Sequence, residues 1–353
     1  MIDRNSKILM IGSSHFELYA PAWYRGLTEL GYNVTYLRYD EFWLPGILGR
    51  IERRFMIGIS PLRINRQLIR LAEEIKPDVI LLHVALPIFP STVERLAKQT
   101  WVSTYFIDNP FGSYGTRSYF RYFQKTLPYA HSHHVNRLVN VSDYQERGYQ
   151  RVKLLRMYYL PWVHRRLDLP PDQPKHDIVF IGHGANDQRI GYVKALLDAG
   201  LDVQIYGPAE GWTEFLSPED LSKMQPIQPI RGDDYARLIA ASKICLCFFS
   251  QANRDTYTGR VFEITAIGGF LMCQRTDDML TMFEEDAEAV YFSSPEELVE
   301  KCRYYLEHEA DRQRIQEAGH RRCLADKHDI VSRMEQWLHD IAGWMSAESE
   351  SAK

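Results

Sequence analysis

The chain has 353 residues, of which 45% are hydrophobic and 25% charged, and its formal net charge at pH 7 is −4. This composition is typical of a folded globular protein and excludes an intrinsically disordered one, and the length is sufficient for two domains of ordinary size. Because the small negative charge provides no overall positive field, we expect no nucleic-acid partner.

The cysteines and the apolar segments indicate the compartment in which the protein works. All five cysteines lie between residues 245 and 323, and their spacing matches no zinc site, so we expect free thiols in a reducing environment. No long apolar run precedes the first strand, as it would in a secretory signal, and no segment reaches the length of a membrane-spanning helix. The sequence therefore predicts a cytoplasmic protein.

In the first half of the chain, apolar runs typical of buried parallel strands alternate with helical patterns. The helical stretch over 20–31 ends at Gly31, and glycine commonly follows the last turn of a helix. This alternation predicts a parallel sheet with helices on both faces. The predicted strands are 7–12, 33–39, 78–84, 101–107 and 137–142.

The pattern breaks at residues 166–176, which are rich in proline and charge and are typical of an interdomain linker. It restarts with DIVFIG at 177–182, an apolar strand that ends in glycine like the strand that opens the chain. The later predicted strands are 202–207, 243–249, a strand after Gly269, and 289–292, and the predicted helices are 233–241, 257–268, 295–307, 309–322 and 329–344.

We therefore predict an α/β fold of two Rossmann-like domains that face each other across a cleft. Ligands are expected at the carboxyl ends of the strands, where sheets of this kind bind small molecules. The predicted divisions are an N-terminal domain over 1–165, a linker over 166–176, a second domain over 177–327, a helix over 328–345 that could cross back to the first domain, and a flexible tail over 346–353.

The motifs of three common enzyme classes are missing from the sequence. The turns GSSHFE at 12–17 and GHGAND at 182–187 lack the full GxGxxG pattern of dinucleotide-binding proteins. The chain also has no GxxxxGK[ST] phosphate loop and no GxSxG nucleophile elbow. These absences disfavour an NAD-dependent enzyme, a P-loop nucleotidase and an α/β-hydrolase.

A set of polar residues surrounds the helix predicted over 257–268. Thr258 and Arg260 open this helix, and a helix N-terminus with an arginine beside it suits a diphosphate. One turn further along, Glu263 could accept hydrogen bonds from two hydroxyls, as a residue that holds a ribose does. The rest of the set follows the first strand of this domain and consists of Gly182, His183 and Arg189.

The stretch RVFEITAIGGFLM at 260–272 and the helical sequence that follows it resemble glycosyltransferases related to the spore maturation protein CgeB, a family of group 1 glycosyl transferases in the GT-B superfamily. The resemblance runs from about residue 175 to about residue 335. In the N-terminal half it is limited to the strand–helix layout and to FIDNP at 106–110. It implies a GT-B fold and transfer of a sugar from a nucleoside diphosphate sugar, with a UDP-sugar as the first choice, to an acceptor hydroxyl.

The resemblance also implies roles for two acidic residues. In related enzymes two carboxylates are separated by seven residues, and the second precedes a small-x-Gly step, as Glu263 precedes Ala266-Ile267-Gly268 here. The first carboxylate then falls on Asp255, where the family has Glu. By this resemblance Asp255 faces the sugar and Glu263 the ribose. We favour a retaining stereochemical outcome. The sequence signature of retaining enzymes is incomplete here, because Asp255 stands where the family has Glu.

Stabilisation of the leaving diphosphate follows from the same resemblance. Metal-free GT-B enzymes use basic side chains and a helix terminus for this purpose, and the sequence has no Asp-x-Asp metal signature. We therefore expect no cofactor and no metal, with Arg189 and Arg260 at the diphosphate and Tyr206 beside the base.

The acceptor side is expected in the first domain. His15 follows the first strand and Asp108 the fourth, so either residue could act as a general base or bind acceptor hydroxyls. Asp108 is favoured because FIDNP combines a carboxylate, an amide and a proline-restricted turn. The acceptor class, a glycan, a lipid-linked molecule or a small molecule in bacterial polysaccharide or glycoconjugate synthesis, is left open by the sequence.

Two alternatives come from other functional classes. A non-catalytic GT-B protein could bind a nucleotide and act as an assembly scaffold, and the departure at Asp255 keeps this alternative open. A nucleotide-sugar epimerase on the same fold would need several carboxylates and a histidine around the sugar, and would act on the donor without any acceptor.

Three histidines, His131, His133 and His134, are close together in the sequence. Their spacing fits neither one strand face nor one helix face, and no thiol or carboxylate partner lies nearby. A solvated turn is therefore favoured over a metal site.

Residues 44–71 contain six arginines and one acid, Glu52, with apolar residues interleaved. A basic and apolar surface of this kind could make peripheral contact with the inner membrane. The alternative is a helix that packs its apolar face on the sheet and leaves its arginines solvated.

Overall fold

The computed structural model describes residues 2–112, 120–173, 175–224 and 226–351. The chain forms two compact units, one made of Met1–Arg156 with Ile330–Lys353 and the other of Met157–Asp329. Each unit contains one parallel sheet, so the predicted α/β class is confirmed. The division between the units falls after Arg156, ahead of the linker predicted over 166–176. Among the helices of the described ranges, none is both long and apolar enough to cross a bilayer.

The first unit is built on a six-stranded parallel sheet with the strand order β2-β1-β3-β4-β5-β6. Its strands are β1 (Lys7–Gly12), β2 (Asn33–Arg38), β3 (Val79–His83), β4 (Trp101–Phe106), β5 (Ser132–Val135) and β6 (Val152–Leu154). Its helices include α1 (Ala20–Glu29), α2 (Gly46–Phe55), α3 (Ile59–Ile75), α4 (Pro90–Ala97), α5 (Arg121–Thr126) and α6 (Leu138–Gln145), and short 3-10 turns lie at Tyr39–Phe42 and Leu127–Tyr129. Every residue of β3 and β4 is buried, because helices cover both faces of the sheet.

The second unit repeats this design with a five-stranded parallel sheet in the order β11-β10-β9-β7-β8. Its strands are β7 (His176–Ile181), β8 (Val203–Tyr206), β9 (Ser242–Cys247), β10 (Leu271–Gln274) and β11 (Val290–Phe292). Its helices are α7 (Gln188–Asp198), α8 (Trp212–Phe215), α9 (Pro218–Ser222), α10 (Gly232–Ala241), α11 (Gly259–Ile267), α12 (Asp277–Leu280), α13 (Pro295–Glu307) and α14 (Glu309–Ala325). The chain adds β8 on one side of β7 and β9 on the other, so the sheet has a switch point between β7 and β9.

The last helix, α15 (Ile330–Ser351), belongs to the first unit and packs against α1. Gly26 of α1 permits this close approach, because a Cβ at that position would lie 3.0 Å from Cγ of Met334. Trp23 packs edge-on against Trp337, with ring centroids 6.0 Å apart. The helix continues to Ser351, where we expected a flexible tail from residue 346, and Glu348 forms a 3.2 Å ion pair with Arg151.

One predicted strand is wrong. The segment RLVNVS at 137–142 belongs largely to α6, and the strand that pairs with β4 is β5, which lies just before it. β5 has the sequence SHHV and is fully buried. Its polar side chains interrupt the apolar run by which a buried strand is normally predicted. The neighbouring strand supplies their partners, since Oγ1 of Thr104 lies 2.9 Å from Nδ1 of His133.

The three histidines therefore do not form a solvated turn. His133 and His134 are consecutive residues of β5 and point to opposite faces of the sheet, and both are buried. Burial lowers the pKa of His133 to about 3 and also lowers that of His134, so both rings are neutral at neutral pH. Among the described residues, no group of three or more His, Cys, Asp or Glu side chains is arranged to hold a metal ion.

His134 meets α15 at a buried carboxylate. Oδ2 of Asp340 lies 3.4 Å from Nε2 of His134, and Lys153 donates a 2.6 Å hydrogen bond from Nζ to Oδ1 of Asp340. Burial by itself raises the pKa of Asp340, but the interactions with His134 and Lys153 outweigh it, so the net effect is a lowered pKa. This cluster ties α15 to β5 and β6.

We expect Asp340→Asn to lower the free energy of unfolding near neutral pH by about 1–3 kcal/mol, because Lys153 loses its charged partner and His134 is left buried beside an amide. A carboxylate with a lowered pKa in the folded state stabilises the protein above its unfolded pKa of about 4 and loses this effect as the pH falls through the folded value. The difference between the two proteins should therefore shrink below about pH 4.

Urea unfolding of wild type and variant at a series of pH values measures this effect. Glu29→Gln removes an exposed ion pair with Arg25 and should cost less than about 0.5 kcal/mol. An Asp340→Asn effect as small as that of the control, or one that does not change with pH, would show that the buried cluster does not hold α15.

Candidate functional site

Two loops flank the switch point of the second sheet. One follows β7 over residues 182–187 and leads into α7, and the other follows β9 over residues 248–258 and leads into α11. Because β7 and β9 are hydrogen-bonded neighbours, both loops leave the same end of the sheet side by side. In open parallel sheets, this is where ligands bind.

The first turn of α11 directs backbone N–H groups toward this end of the sheet. Thr258 is the N-cap residue and has extended dihedral angles, φ −137° and ψ 166°, and its side chain makes no capping hydrogen bond. The Thr258 hydroxyl lies instead 3.3 Å from Sγ of Cys247. Burial raises the pKa of that thiol to about 11, so it keeps its proton. A helix start without a capping side chain can offer its N–H groups to an anion.

Arg260 and Arg189 place positive charge near this helix end, beside the imidazole of His183. Burial lowers the pKa of His183, the charges of Arg260 and Arg189 lower it further, and Glu210 opposes them. Both guanidinium groups therefore act on the same imidazole, which is neutral at neutral pH. A neutral imidazole can donate a hydrogen bond to an anion, and it takes up a proton more readily once negative charge is bound.

Arg189 is engaged within the loop after β7. Its Nε and Nη2 donate to the two carboxylate oxygens of Asp187 at 2.8 and 2.7 Å, and its Nη1 donates to the backbone oxygen of His183 at 2.8 Å. Asp187 is also the N-cap residue of α7. Arg189 thus braces this loop, and Asp187 partly compensates its charge. Direct contact between Arg189 and a diphosphate stays a prediction.

Three glycines, Gly184, Gly207 and Gly211, allow the loops after β7 and β8 to pack backbone against backbone. A Cβ on Gly207 would lie 2.3 Å from the backbone oxygen of Gly182, and a Cβ on Gly184 would lie 2.3 Å from the backbone nitrogen of Trp212. Gly207 and Gly211 also have positive φ values, 141° and 83°, which side chains disfavour. Gly182, which we predicted as a ligand-binding residue, therefore has a packing role.

Glu263 lies one turn into α11 and is buried. Its Oε2 accepts a 2.7 Å hydrogen bond from the Tyr235 hydroxyl on α10. Its Oε1 lies on the side of Gly259, where an added Cβ would be 3.7 Å from that oxygen. The carboxylate is thus held through one oxygen while the other lies beside the start of α11.

Two residues that the sequence did not indicate lie next to this carboxylate, Tyr235 and His164. Burial raises the pKa of Tyr235 well above its usual value, and the charge of Glu263 adds to this, so the hydroxyl remains a donor. Nδ1 of His164 accepts from the Leu160 backbone at 3.0 Å, which leaves the proton on Nε2, 3.9 Å from Oε2 of Glu263. Neither residue belongs to a motif, and His164 is far from Glu263 in the sequence.

Arg260 lies beside the ring of Tyr235. Its guanidinium carbon lies 5.6 Å from the centroid of the Tyr235 ring, within the range of a cation–π contact. The first helical turn therefore connects the positive charge near His183 to the buried carboxylate of Glu263.

Two predicted residues of this unit point elsewhere. Tyr206 is buried and packs edge-on against His176, the first residue of β7, with centroids 6.2 Å apart. Its ring therefore leans back over the sheet and away from the carboxyl end, and a place for Tyr206 beside a base stays a prediction. Asp255 folds back onto its own turn, where its Oδ2 lies 3.3 Å from the backbone nitrogen of Ser250.

The candidate acceptor residues lie in the first unit, after β1 and β4. His15 is exposed, and the preceding Ser14 is held by Asp40, which accepts hydrogen bonds of 2.6 and 2.7 Å from its backbone nitrogen and hydroxyl. Asp108 is half-buried, next to the buried Asn109. A catalytic role for either residue stays a prediction.

The sequence of the second unit matches a protein family over most of its length. Residues 189–339 match the model of the family Glyco_trans_1_2, described as glycosyl transferase-like. This range contains Arg189, Arg260 and Glu263, and it agrees with the predicted glycosyltransferase function. No curated protein matches the chain.

Solved structures share the fold of the whole chain at low sequence identity. Anabaena Alr3699/HepE in complex with UDP and glucose has a TM-score of 0.66 at 12% identity, over 96% of this chain and 100% of that chain. A glycosyltransferase from Rickettsia africae has a TM-score of 0.69 at 12% identity, over 97% and 99%. A putative UDP-N-acetylglucosamine 2-epimerase from Listeria monocytogenes has a TM-score of 0.59 at 11% identity, over 97% and 97%. These similarities confirm the predicted GT-B fold.

The electrostatics of the site can be tested by measuring the pKa of His183. Arg260→Met should raise the pKa of His183 toward the ordinary histidine value of about 6.5, because a positive charge that opposes protonation is removed. NMR titration of the histidine ring protons measures this shift, with His183 assigned by the signal that is lost in His183→Gln. Arg314→Met, on the exposed side of α14, should leave the titration unchanged. An unchanged His183 titration in Arg260→Met would refute the proximity of these residues.

Proposed function

We propose that this protein is a glycosyltransferase that moves a sugar from a nucleoside diphosphate sugar to an acceptor hydroxyl. One observation carries the proposal: the N-cap residue of α11, at the switch point of a Rossmann-like sheet, makes no side-chain capping hydrogen bond, with Arg260 and His183 beside it and Glu263 one turn further in. These groups match the diphosphate and the ribose of one ligand. The glycosyl transferase-like family match over 189–339 supports the same function.

The diphosphate would lie against the first turn of α11. Backbone N–H groups there and the guanidinium of Arg260 provide a fixed positive environment that needs no rearrangement as negative charge develops on the leaving group. His183 would add a hydrogen bond, or a charge once it is protonated. Arg189 would act chiefly by holding the His183 loop in place through Asp187.

The ribose would be held by Glu263. A carboxylate can accept from two neighbouring hydroxyls, and the hydrogen bond from Tyr235 fixes its orientation before a ligand arrives. Preorganisation of this kind reduces the conformational entropy lost on binding. The contact between Arg260 and the Tyr235 ring links the ribose and diphosphate subsites.

In the proposed reaction the bond from the anomeric carbon to the diphosphate breaks, and the acceptor oxygen forms a bond to that carbon on the face that the diphosphate leaves, so the configuration is retained. The nucleoside diphosphate leaves with the bonding electrons, and the acceptor proton passes to a general base. Asp108 is the first candidate for this base and His15 the second, while Asp255 would face the sugar. We propose that the reaction needs no metal ion, since Arg260 and the helix start supply the positive charge.

The donor is proposed to be a UDP-sugar, because the structural neighbour HepE was solved with UDP and glucose. The acceptor is proposed to be a glycan or a lipid-linked molecule in bacterial polysaccharide or glycoconjugate synthesis, and the stereochemical outcome to be retaining. The stretch RVFEITAIGGFLM supports a narrower relationship to the CgeB-like family. Five buried free cysteines suit a reducing cytoplasm.

Nucleotide binding is the first test. In calorimetry with EDTA present, UDP should bind more tightly than GDP, ADP, dTDP or CMP. Glu263→Gln and Arg260→Met should each weaken UDP binding by about tenfold or more, the effect of losing one charged hydrogen-bonding partner. Arg314→Met serves as the matched control and should retain full affinity. Absence of binding by every nucleotide, or equal affinity in all variants, would refute the donor site.

The pH dependence of UDP binding provides an independent check on the same site. Bound diphosphate should raise the pKa of His183, because its charge offsets that of the two arginines. A group whose pKa rises on binding makes the complex tighter at low pH and weaker as the pH rises through the value in the complex. This dependence should be lost in His183→Gln, and its persistence there would assign the titration to another group.

Measurements of turnover distinguish a glycosyltransferase from an epimerase and from a non-catalytic scaffold. With a UDP-sugar and an acceptor, Asp108→Asn should lower kcat by at least about a hundredfold, as expected for loss of a general base, and leave UDP affinity unchanged. Sustained change of the donor sugar without any acceptor would indicate an epimerase. The structural neighbour from Listeria is named as a putative enzyme of this kind. UDP binding without turnover on any donor and acceptor would indicate a scaffold.

A further inference from the structure

The hairpin formed by α2 and α3 carries a concentration of exposed apolar side chains. Seven large apolar residues between positions 47 and 62 are 44–66% exposed, a density found nowhere else in the described residues. They are Ile47, Leu48, Ile51, Phe55, Ile57, Ile59 and Leu62. Exposed apolar patches of this kind usually mark a surface that contacts a partner or a membrane.

Helix α2 has three distinct faces. With about 100° between successive residues, the exposed apolar residues of α2 all fall within an arc of about 100°. The buried positions Gly49 and Glu52 form a second face, and the exposed arginines form a third. Only the second face packs on the protein, so the apolar face does not belong to the core. The arginines of the third face are Arg50, Arg53 and Arg54.

Helix α3 continues this arrangement along its exposed side. Ile59 and Leu62 lie in its first turn, next to the hairpin turn, and are exposed. Further along the same side come Arg63, Arg66 and Arg70, which are also exposed. The hairpin surface is thus apolar near the turn and basic on the flanks behind it.

A buried carboxylate holds the two helices of the hairpin together. Glu52 accepts hydrogen bonds from the backbone nitrogens of Ile59 at 2.7 Å and Ser60 at 3.4 Å and from the Ser60 hydroxyl. Burial raises the pKa of Glu52, but these bonds and the charge of Arg63 outweigh it and lower the pKa overall. Gly58 has a φ of 103° and leaves room for this contact, since a Cβ there would lie 2.1 Å from Oε1 of Glu52.

The hairpin contains many more basic than acidic side chains. Glu52 is the single acid over residues 44–71, and its carboxylate is directed into the hairpin. Within the described ranges, no acidic side chain lies within ion-pair distance of Arg50, Arg53 or Arg66. A partner with a dense negative surface would satisfy this side of the protein.

We propose that the α2–α3 hairpin docks the protein on an anionic lipid surface. The apolar residues around the hairpin turn enter the boundary between headgroups and acyl chains, and the flanking arginines lie at the level of the headgroup phosphates. A short helix with a narrow apolar face and a basic polar face has the character of an interfacial helix. Lipid phosphates attract the unpaired positive charge, which a neutral apolar partner would leave unsatisfied. This docking is independent of the donor site.

Vesicle flotation with purified full-length protein tests the proposal. Wild type should float with vesicles that contain phosphatidylglycerol and remain largely unbound with pure phosphatidylcholine. Leu48→Ser/Ile51→Ser and Arg50→Gln/Arg53→Gln should each weaken binding by about tenfold or more, as expected for losing two inserted side chains or two charges. The arginine-dependent part should fall at high salt, and excess inorganic phosphate should not replace the vesicles.

A matched control comes from the exposed side of α14. Leu324→Ser/Arg321→Gln removes a leucine about as exposed as Ile51 and an exposed arginine elsewhere and should bind vesicles like wild type. Circular dichroism melting checks that each variant is folded. Failure of wild type to bind anionic vesicles, or equal binding by the hairpin and control variants, would overturn the proposal. So would a dimer in sedimentation velocity that Leu48→Ser/Ile51→Ser dissociates without any vesicle binding, since a second copy would then cover the surface.

Discussion

Parallel strand pairing is the constraint on which both units depend. Each parallel pair requires a crossover along a face of the sheet, so helices cover both faces and the strands become continuous apolar runs. The same geometry sends the loop after each strand to one end of the sheet. At the switch point between β7 and β9, this places His183 and Arg189 near Arg260, which is far from them in the sequence.

The buried carboxylate of Glu263 shows how the second unit stabilises a polar group near this point. A charge removed from water is costly unless nearby groups hydrogen-bond to it or pair with it. Tyr235 on α10 meets this requirement through its hydroxyl, and His164 in the segment before β7 lies 3.9 Å from the same oxygen, so three parts of the chain converge on one side chain. The result is a carboxylate that is oriented by the fold before any ligand is present.

Glu52 in the first unit is also a buried, hydrogen-bonded carboxylate, and its burial affects the surface of the hairpin. Its carboxylate replaces a capping residue at the start of α3 and directs its charge inward. The arginines of the hairpin are left without this acid as a surface partner, and the apolar residues near the turn are left outside the core. One buried acid thereby produces a surface that is apolar and strongly basic at once.

Much of the architecture could be predicted from the sequence, because parallel strands covered on both faces leave continuous apolar runs. All strands of the second unit and the first four of the first unit were found in this way, and the helix predicted over 257–268 corresponds to α11. β5 was missed because its histidines are satisfied by Ser103 and Thr104 of the adjacent strand, a pairing that no local pattern reveals. The contact of Tyr206 with His176 was not predicted either, because the direction of a side chain at the end of a strand depends on packing.

The amino-acid sequence by itself determined the fold class, the order of the elements and the polar residues at the start of α11, since these follow from local periodicity and composition. Only the tertiary structure decided which of those residues meet. It joined Glu263 to Tyr235 and His164, committed Arg189 to Asp187, and left the apolar face of α2 in contact with solvent. The physical reason is that hydrogen bonding and burial depend on distances in space between residues that are far apart along the chain.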